Sequence, residues 1–101
     1  MRSRYAAYAL VKVGYIVQTT HPDSSLRPQN EIAWRKELQR FCRETQFVGL
    51  QIVATDEIDR QTATVTFRAV LLQGGRDASF TEQSLFERVR GRWLYVGPRD
   101  T

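Results

Sequence analysis

Residues 45–73, TQFVGLQIVATDEIDRQTATVTFRAVLLQ, are where the chain changes its period. Upstream of Thr45 apolar residues recur at helical spacing, and from there on they alternate. Val48, Leu50, Ile52 and Ala54 alternate with Gly49, Gln51, Val53 and Thr55, which predicts a strand with the first set on one face. DEIDR (56–60) reads as a turn, and Ala63, Val65, Phe67, Ala69 and Leu71 then alternate against Thr62, Thr64, Thr66 and Arg68. Gly74-Gly75 closes a second hairpin, a third run covers Ala78 to Arg90, and Gly91 makes a tight turn into Trp93-Leu94-Tyr95-Val96.

Upstream, Trp34, Leu38 and Phe41 fall at i, i+4 and i+7, and Cys42 widens the stripe. Arg35, Lys36, Arg40 and Arg43 point elsewhere, so the segment is an amphipathic helix, with Asn30 as N-cap and Glu31 suited to its dipole. HPDSSLRPQ (21–29) is a loop by composition. Residues 4–19 read as helix with two apolar sides: Tyr5, Tyr8, Ala9 and Ile16 on one, Leu10, Val13 and Val17 on the other. Such a segment is wedged into the protein. Gly14 is expected to break it into two short helices, and Pro22 stops the second by Thr20 or His21. Helices first and an antiparallel meander afterwards define an α+β class. One domain is expected over 1–101, its N-terminal helices packed on a curved antiparallel sheet of about four strands.

With 42% hydrophobic and 26% charged residues, the chain has the composition of a folded domain. A single cysteine, Cys42, rules out an internal disulfide framework or a cysteine-cluster metal site, and no metal or cofactor is expected. One cysteine also fits a reducing cytoplasm. The net charge is +4, and Lys12 and Lys36 are the only lysines among 15 basic residues. The arginines are spread along the chain, which speaks against a nucleic-acid surface. The opening MRSRYAAYAL imitates a signal peptide, but Lys12 interrupts its apolar stretch and no cleavage site follows, so it is assigned to the fold. No apolar run is long enough to span a membrane. HExxH, P-loop, GxSxG and GxGxxG motifs do not occur.

One anomaly carries chemistry. In ASFTEQSLFER (78–88), a period of two puts Phe80, Glu82, Ser84 and Phe86 on one face. The two phenylalanines mark that face as core, so a carboxylate and a hydroxyl are turned inward between them. Burying an unpaired carboxylate costs several kcal/mol, so Glu82 needs an arginine, a donor network or a proton. If the first helix crosses the concave face, Arg2 or Arg4 is expected to reach Glu82, with Tyr5 and Tyr8 lining the same space and His21 at its mouth.

MRSRYAAY at the start, Thr19-Thr20-His21-Pro22, the FVGLQI strand, and EQSLFER leading to GRWLYVGPR together resemble the YchJ-like family of bacterial proteins over essentially the whole chain. The resemblance implies a nuclear transport factor 2-like (NTF2-like, cystatin-like) α+β roll. It also carries over Arg2, Arg4, Tyr5, Tyr8, His21, Glu82, Ser84 and Phe86 as matching positions. The family typically adds short zinc-binding SEC-C motifs before or after this domain; neither is present here, so the resemblance implies no zinc. Thr20 stands where the family usually has tryptophan, so one aromatic wall of a pocket is expected to be missing. The family implies no activity.

The favoured reading is a non-catalytic binding or interaction domain whose helix–sheet cavity takes a small molecule or an acidic peptide. The alternative is an isomerase- or dehydratase-type enzyme, with Glu82 or His21 moving a proton and a tyrosine steadying an oxyanion. A further alternative is contact with nucleic acid or the ribosome through Arg68, Arg88, Arg90, Arg92 and Arg99. Val70 and Leu72, pointing away from the better apolar face, suggest a homodimer through the outer sheet face.

Overall fold

The change of period at Thr45 is a structural boundary in the computed structural model, which describes residues 1–99. Three helices precede it: α1 (Arg2–Ala9), α2 (Val13–Gln18) and α3 (Glu31–Glu44). Strands β1 (Thr45–Glu57), β2 (Thr62–Gln73), β3 (Arg76–Asp77), β4 (Phe80–Val89) and β5 (Arg92–Pro98) follow. The sheet is antiparallel throughout, in the order β1-β2-β4-β5, with the short β3 paired to the end of β2. The α+β class and the roll of helices on a curved sheet are as the pattern predicts.

Asn30 caps α3 as expected, its side-chain oxygen accepting from the Ala33 N–H at 3.1 Å. Tight loops follow from backbone sign: Gly74 and Gly75 have φ of +56° and +77°, and Arg90-Gly91 repeats that pair at +52° and +78°. Two consecutive left-handed residues make the hairpin turn whose twist matches the flanking strands.

The break between the first two helices falls at Val11, whereas Gly14 lies inside α2. Val11 has φ +58°, its N–H donates to the Tyr8 carbonyl, and the Lys12 N–H reaches back to the Ala7 carbonyl at 2.7 Å. That is the doubly bonded helix ending usually built on glycine. A β-branched residue holds the position because its side chain packs on the cluster of Ala7, Ile16 and Cys42.

The β1 alternation also departs from expectation. Register shifts between Phe47 and Gly49 and between Ile52 and Ala54 are β-bulges. The first turns Phe47 inward and leaves Val48 56% exposed; the second leaves Val53 outward and Ala54 exposed. The larger ring wins the core side: Phe47 packs edge-on against Tyr5 (centroids 5.6 Å apart) and Phe41 (6.2 Å). Leu50 and Ile52 stay with Phe67, Ala69 and Leu71, as the alternation predicts. Phe41 packs on both apolar clusters, the helical one and the sheet one, and joins them into one core.

The loop after α2 straps the far edge. Tyr95 N–H donates to the Thr19 carbonyl and His21 N–H to the Tyr95 carbonyl, both at 2.8 Å, and the Ser24 hydroxyl donates to the Val96 carbonyl. The edge strand β5 is thereby covered, and the backbone N–H and carbonyl of Tyr95 are both held by the strap.

Candidate functional site

The inward face of β4 is the expected one. Phe80, Glu82, Ser84 and Phe86 stand opposite Ala69, Phe67, Val65 and Ala63 of β2, and Phe67, Ala69 and Ala63 are buried. Ser84 is fully buried and donates its hydroxyl to Oε2 of Glu82. The Tyr95 hydroxyl donates to the same oxygen at 2.9 Å. Glu82 therefore has a donor network, one of the three ways an inward carboxylate can be satisfied.

An arginine partner, the other expectation, is absent among the described residues. Arg4 is buried, but its Nη1 donates to the Ile16 carbonyl (3.2 Å), the Thr19 hydroxyl (2.7 Å) and the Thr20 hydroxyl (3.3 Å). These acceptors belong to the last turn of α2 and the residues just beyond it, where unpaired carbonyls attract a cation. The guanidinium also lies 4.6 Å from the centroid of the Tyr95 ring. Tyr95 thus stands between the two charges, its face toward Arg4 and its hydroxyl on Glu82. Thr20, at the position where tryptophan was expected from the family pattern, is one of the acceptors that hold Arg4 in this place.

Of the other expected residues, Tyr5 and Tyr8 line the space beside Glu82, as α1 crosses from β1, where Tyr5 meets Phe47, to β5, where Arg4 meets Tyr95. Arg2 is exposed and takes no part in lining that space. His21 is elsewhere: its Nδ1 accepts from the Asp23 N–H, and its Nε2 lies 3.3 Å from a Glu87 oxygen on the outward side of β4. Phe86 packs on Tyr95 at 5.7 Å but borders a second, larger groove of about 490 Å³ with Ala63, Val65 and Trp93.

The space itself is a recess of about 240 Å³ between the helices and the sheet. Its walls are the rings of Tyr5, Tyr8, Phe41, Phe47, Phe67, Phe80 and Tyr95 with Met1, Leu26, Ala69 and Leu71, and its charged side chains are Glu82 and Arg4. Burial raises the pKa of the Tyr5, Tyr8 and Tyr95 hydroxyls; at Tyr95 the Glu82 carboxylate adds to the rise. Each is a neutral hydroxyl at physiological pH. The Tyr5 hydroxyl, beside the Gly49 backbone, is buried with no hydrogen-bond partner. No group of three or more metal-ligating side chains gathers among the described residues.

Tyr95 is the candidate-site residue that the sequence pattern did not single out. Its signal was present: the tight turn at Arg90-Gly91 pairs Val89 with Arg92 and Phe86 with Tyr95, which places Tyr95 on the Glu82 face. The recess aromatics Phe41 and Phe47 were unreadable as a wall because one depends on helix docking and the other on a bulge.

Short helices closing a curved antiparallel sheet over an internal recess define an NTF2-like domain. The family model for the YchJ middle NTF2-like domain matches residues 1–98, and the chain belongs to that family. A UPF0225 protein of Bordetella pertussis is 41% identical over 96 residues, covering 95% of this chain and 65% of the relative. A Haemophilus influenzae UPF0225 protein is 33% identical over 98 residues, covering 97% and 58%. The chain thus spans about two thirds or less of the curated relatives it matches. The solution structure of a SEC-C motif-containing protein from Rhodopseudomonas palustris superposes with a TM-score of 0.82 at 33% identity, over all of this chain and 75% of that one. The crystal structure of a SEC-C motif-containing protein from Psychrobacter arcticus gives 0.78 at 29% identity, over all of this chain and 58% of that one.

Proposed function

We propose that this domain binds a small molecule in the recess beside Glu82, as a binding module and not as a catalyst. The observation that carries the reading is a carboxylate turned into an aromatic-walled space and oriented by two hydroxyls, with no cation paired to it among the described residues. Apolar walls with a few convergent polar groups are what a small-molecule site needs. His21, the other acid–base candidate, is engaged with Glu87 outside the recess, so an isomerase-type reaction would rest on Glu82 alone.

Thermal-shift and ligand-observed NMR screening of the full chain against small metabolites and acidic peptides tests the reading. Saturable hits should disappear in Ala69→Phe, whose new ring would project into the recess. Ala69 is itself buried, so the variant should cost about the 1–3 kcal/mol of ordinary overpacking, and circular dichroism checks that it folds before binding is read. Hits that persist in the filled variant, or no hits at all, would overturn it.

A further inference from the structure

Resting on the recess as the binding site, we infer that its ligand is a small primary amine with an apolar, single-ring body, its ammonium on the free oxygen of Glu82. Both protein donors, Ser84 and Tyr95, go to Oε2. Oε1 has no hydrogen-bond partner among the described residues. It is also not sealed, because the Tyr5 hydroxyl is the buried side-chain polar atom without a partner among the described residues. A carboxylate oxygen accepts only, so the ligand must bring the hydrogen. An ammonium brings three, with the strength of a charge-assisted bond.

The remaining walls favour the same chemistry. Phe41, Phe47, Phe67 and Phe80 offer ring faces and edges, and a cation beside such rings gains from their quadrupoles. Arg4 is the rival anchor, and it would select an anion. Its Nη1 serves three protein oxygens and its guanidinium lies over the Tyr95 ring, so part of its donor set is spent on the fold, whereas Oε1 of Glu82 is wholly unspent among the described residues. The volume sets the size: 240 Å³ is room for roughly eight waters at liquid density, which admits one ring with a short amine arm and excludes a nucleotide or a folded peptide.

Isothermal titration of the full chain with 2-phenylethylamine, 2-phenylethanol and phenylacetate tests the ligand class. The three share a ring and differ in the charge at the arm. The amine should bind at least tenfold more tightly than the alcohol, and the carboxylate more weakly than either. Glu82→Gln should weaken the amine at least tenfold and change the alcohol less than twofold. The ranking of the three probes on the unmodified chain decides the matter even if that variant does not fold. If phenylacetate or the alcohol binds best and Ala69→Phe abolishes that binding, the amine assignment is overturned while the recess remains a binding site. If none of the three binds and the wider screen also fails, both are overturned.

Discussion

Removing the Tyr95 hydroxyl isolates the contact that orients Glu82. Tyr95→Phe keeps the ring under Arg4 and against Phe86, and deletes only the donor 2.9 Å from Oε2. A hydrogen bond to a charged group contributes about 1.5–3 kcal/mol, and Ser84 still serves the same oxygen, so the loss belongs at the low end, about 1.5–2 kcal/mol. For a domain of this size that lowers the melting temperature by roughly 6–16 °C. Part of the loss could come from ring repacking alone, and a double-mutant cycle with Glu82→Gln separates the two. Calorimetry or urea denaturation of the four proteins should give a coupling of about 1 kcal/mol or more between the positions. Additivity within about 0.3–0.5 kcal/mol would mean that Tyr95 does not hold Glu82, and the inward carboxylate would need another explanation.

Other consequences follow from the same geometry. Arg4→Met strips the cation from three acceptors at the end of α2 and from the Tyr95 ring, and should cost about 2–4 kcal/mol in urea denaturation; a variant as stable as the parent would mean that Arg4 does not pin α2 to the sheet. The Tyr5, Tyr8 and Tyr95 hydroxyls have raised pKa values in the fold against an ordinary value of 10.0. Their contribution to stability is therefore complete below pH 10.0 and is lost as pH rises above it, because the unfolded chain releases those protons first. Tyrosine absorbance should titrate later in the native protein than in denaturant, and coincident curves would contradict the buried assignment. Glu87→Gln removes an ion-pair partner of His21 that is half exposed, and should change stability by less than about 1 kcal/mol while leaving amine binding intact; loss of binding would return His21 to the site.

Legibility from the sequence followed the range of the forces involved. Local signals were sufficient where structure is local: the Asn30 cap, the glycine turns, and the two-residue pleat that turns Glu82 and Ser84 inward. Where tertiary packing overrides propensity the reading failed. Val11 adopts a left-handed helix ending that glycine would normally supply, because its side chain has a cluster to join. Phe47 displaces Val48 from the core side by a bulge that alternation alone does not encode. Arg2 or Arg4 was expected to reach Glu82; Arg4 is buried and lines the same recess but does not pair with it. The end of α2 offered the guanidinium three oxygens, and the carboxylate found two hydroxyls instead. His21 was drawn to Glu87 on the opposite side of β4, a choice set by how the 19–21 segment bonds to β5.

Intermolecular nuclear Overhauser effects from bound 2-phenylethylamine locate the ligand directly. With the amine on Oε1 of Glu82, its ring protons should contact Phe67, Phe80 and Tyr8, and the methylene next to nitrogen should contact Tyr95. Contacts confined to Tyr15 and Trp93, in the second groove that Arg4 also borders, would contradict the assignment.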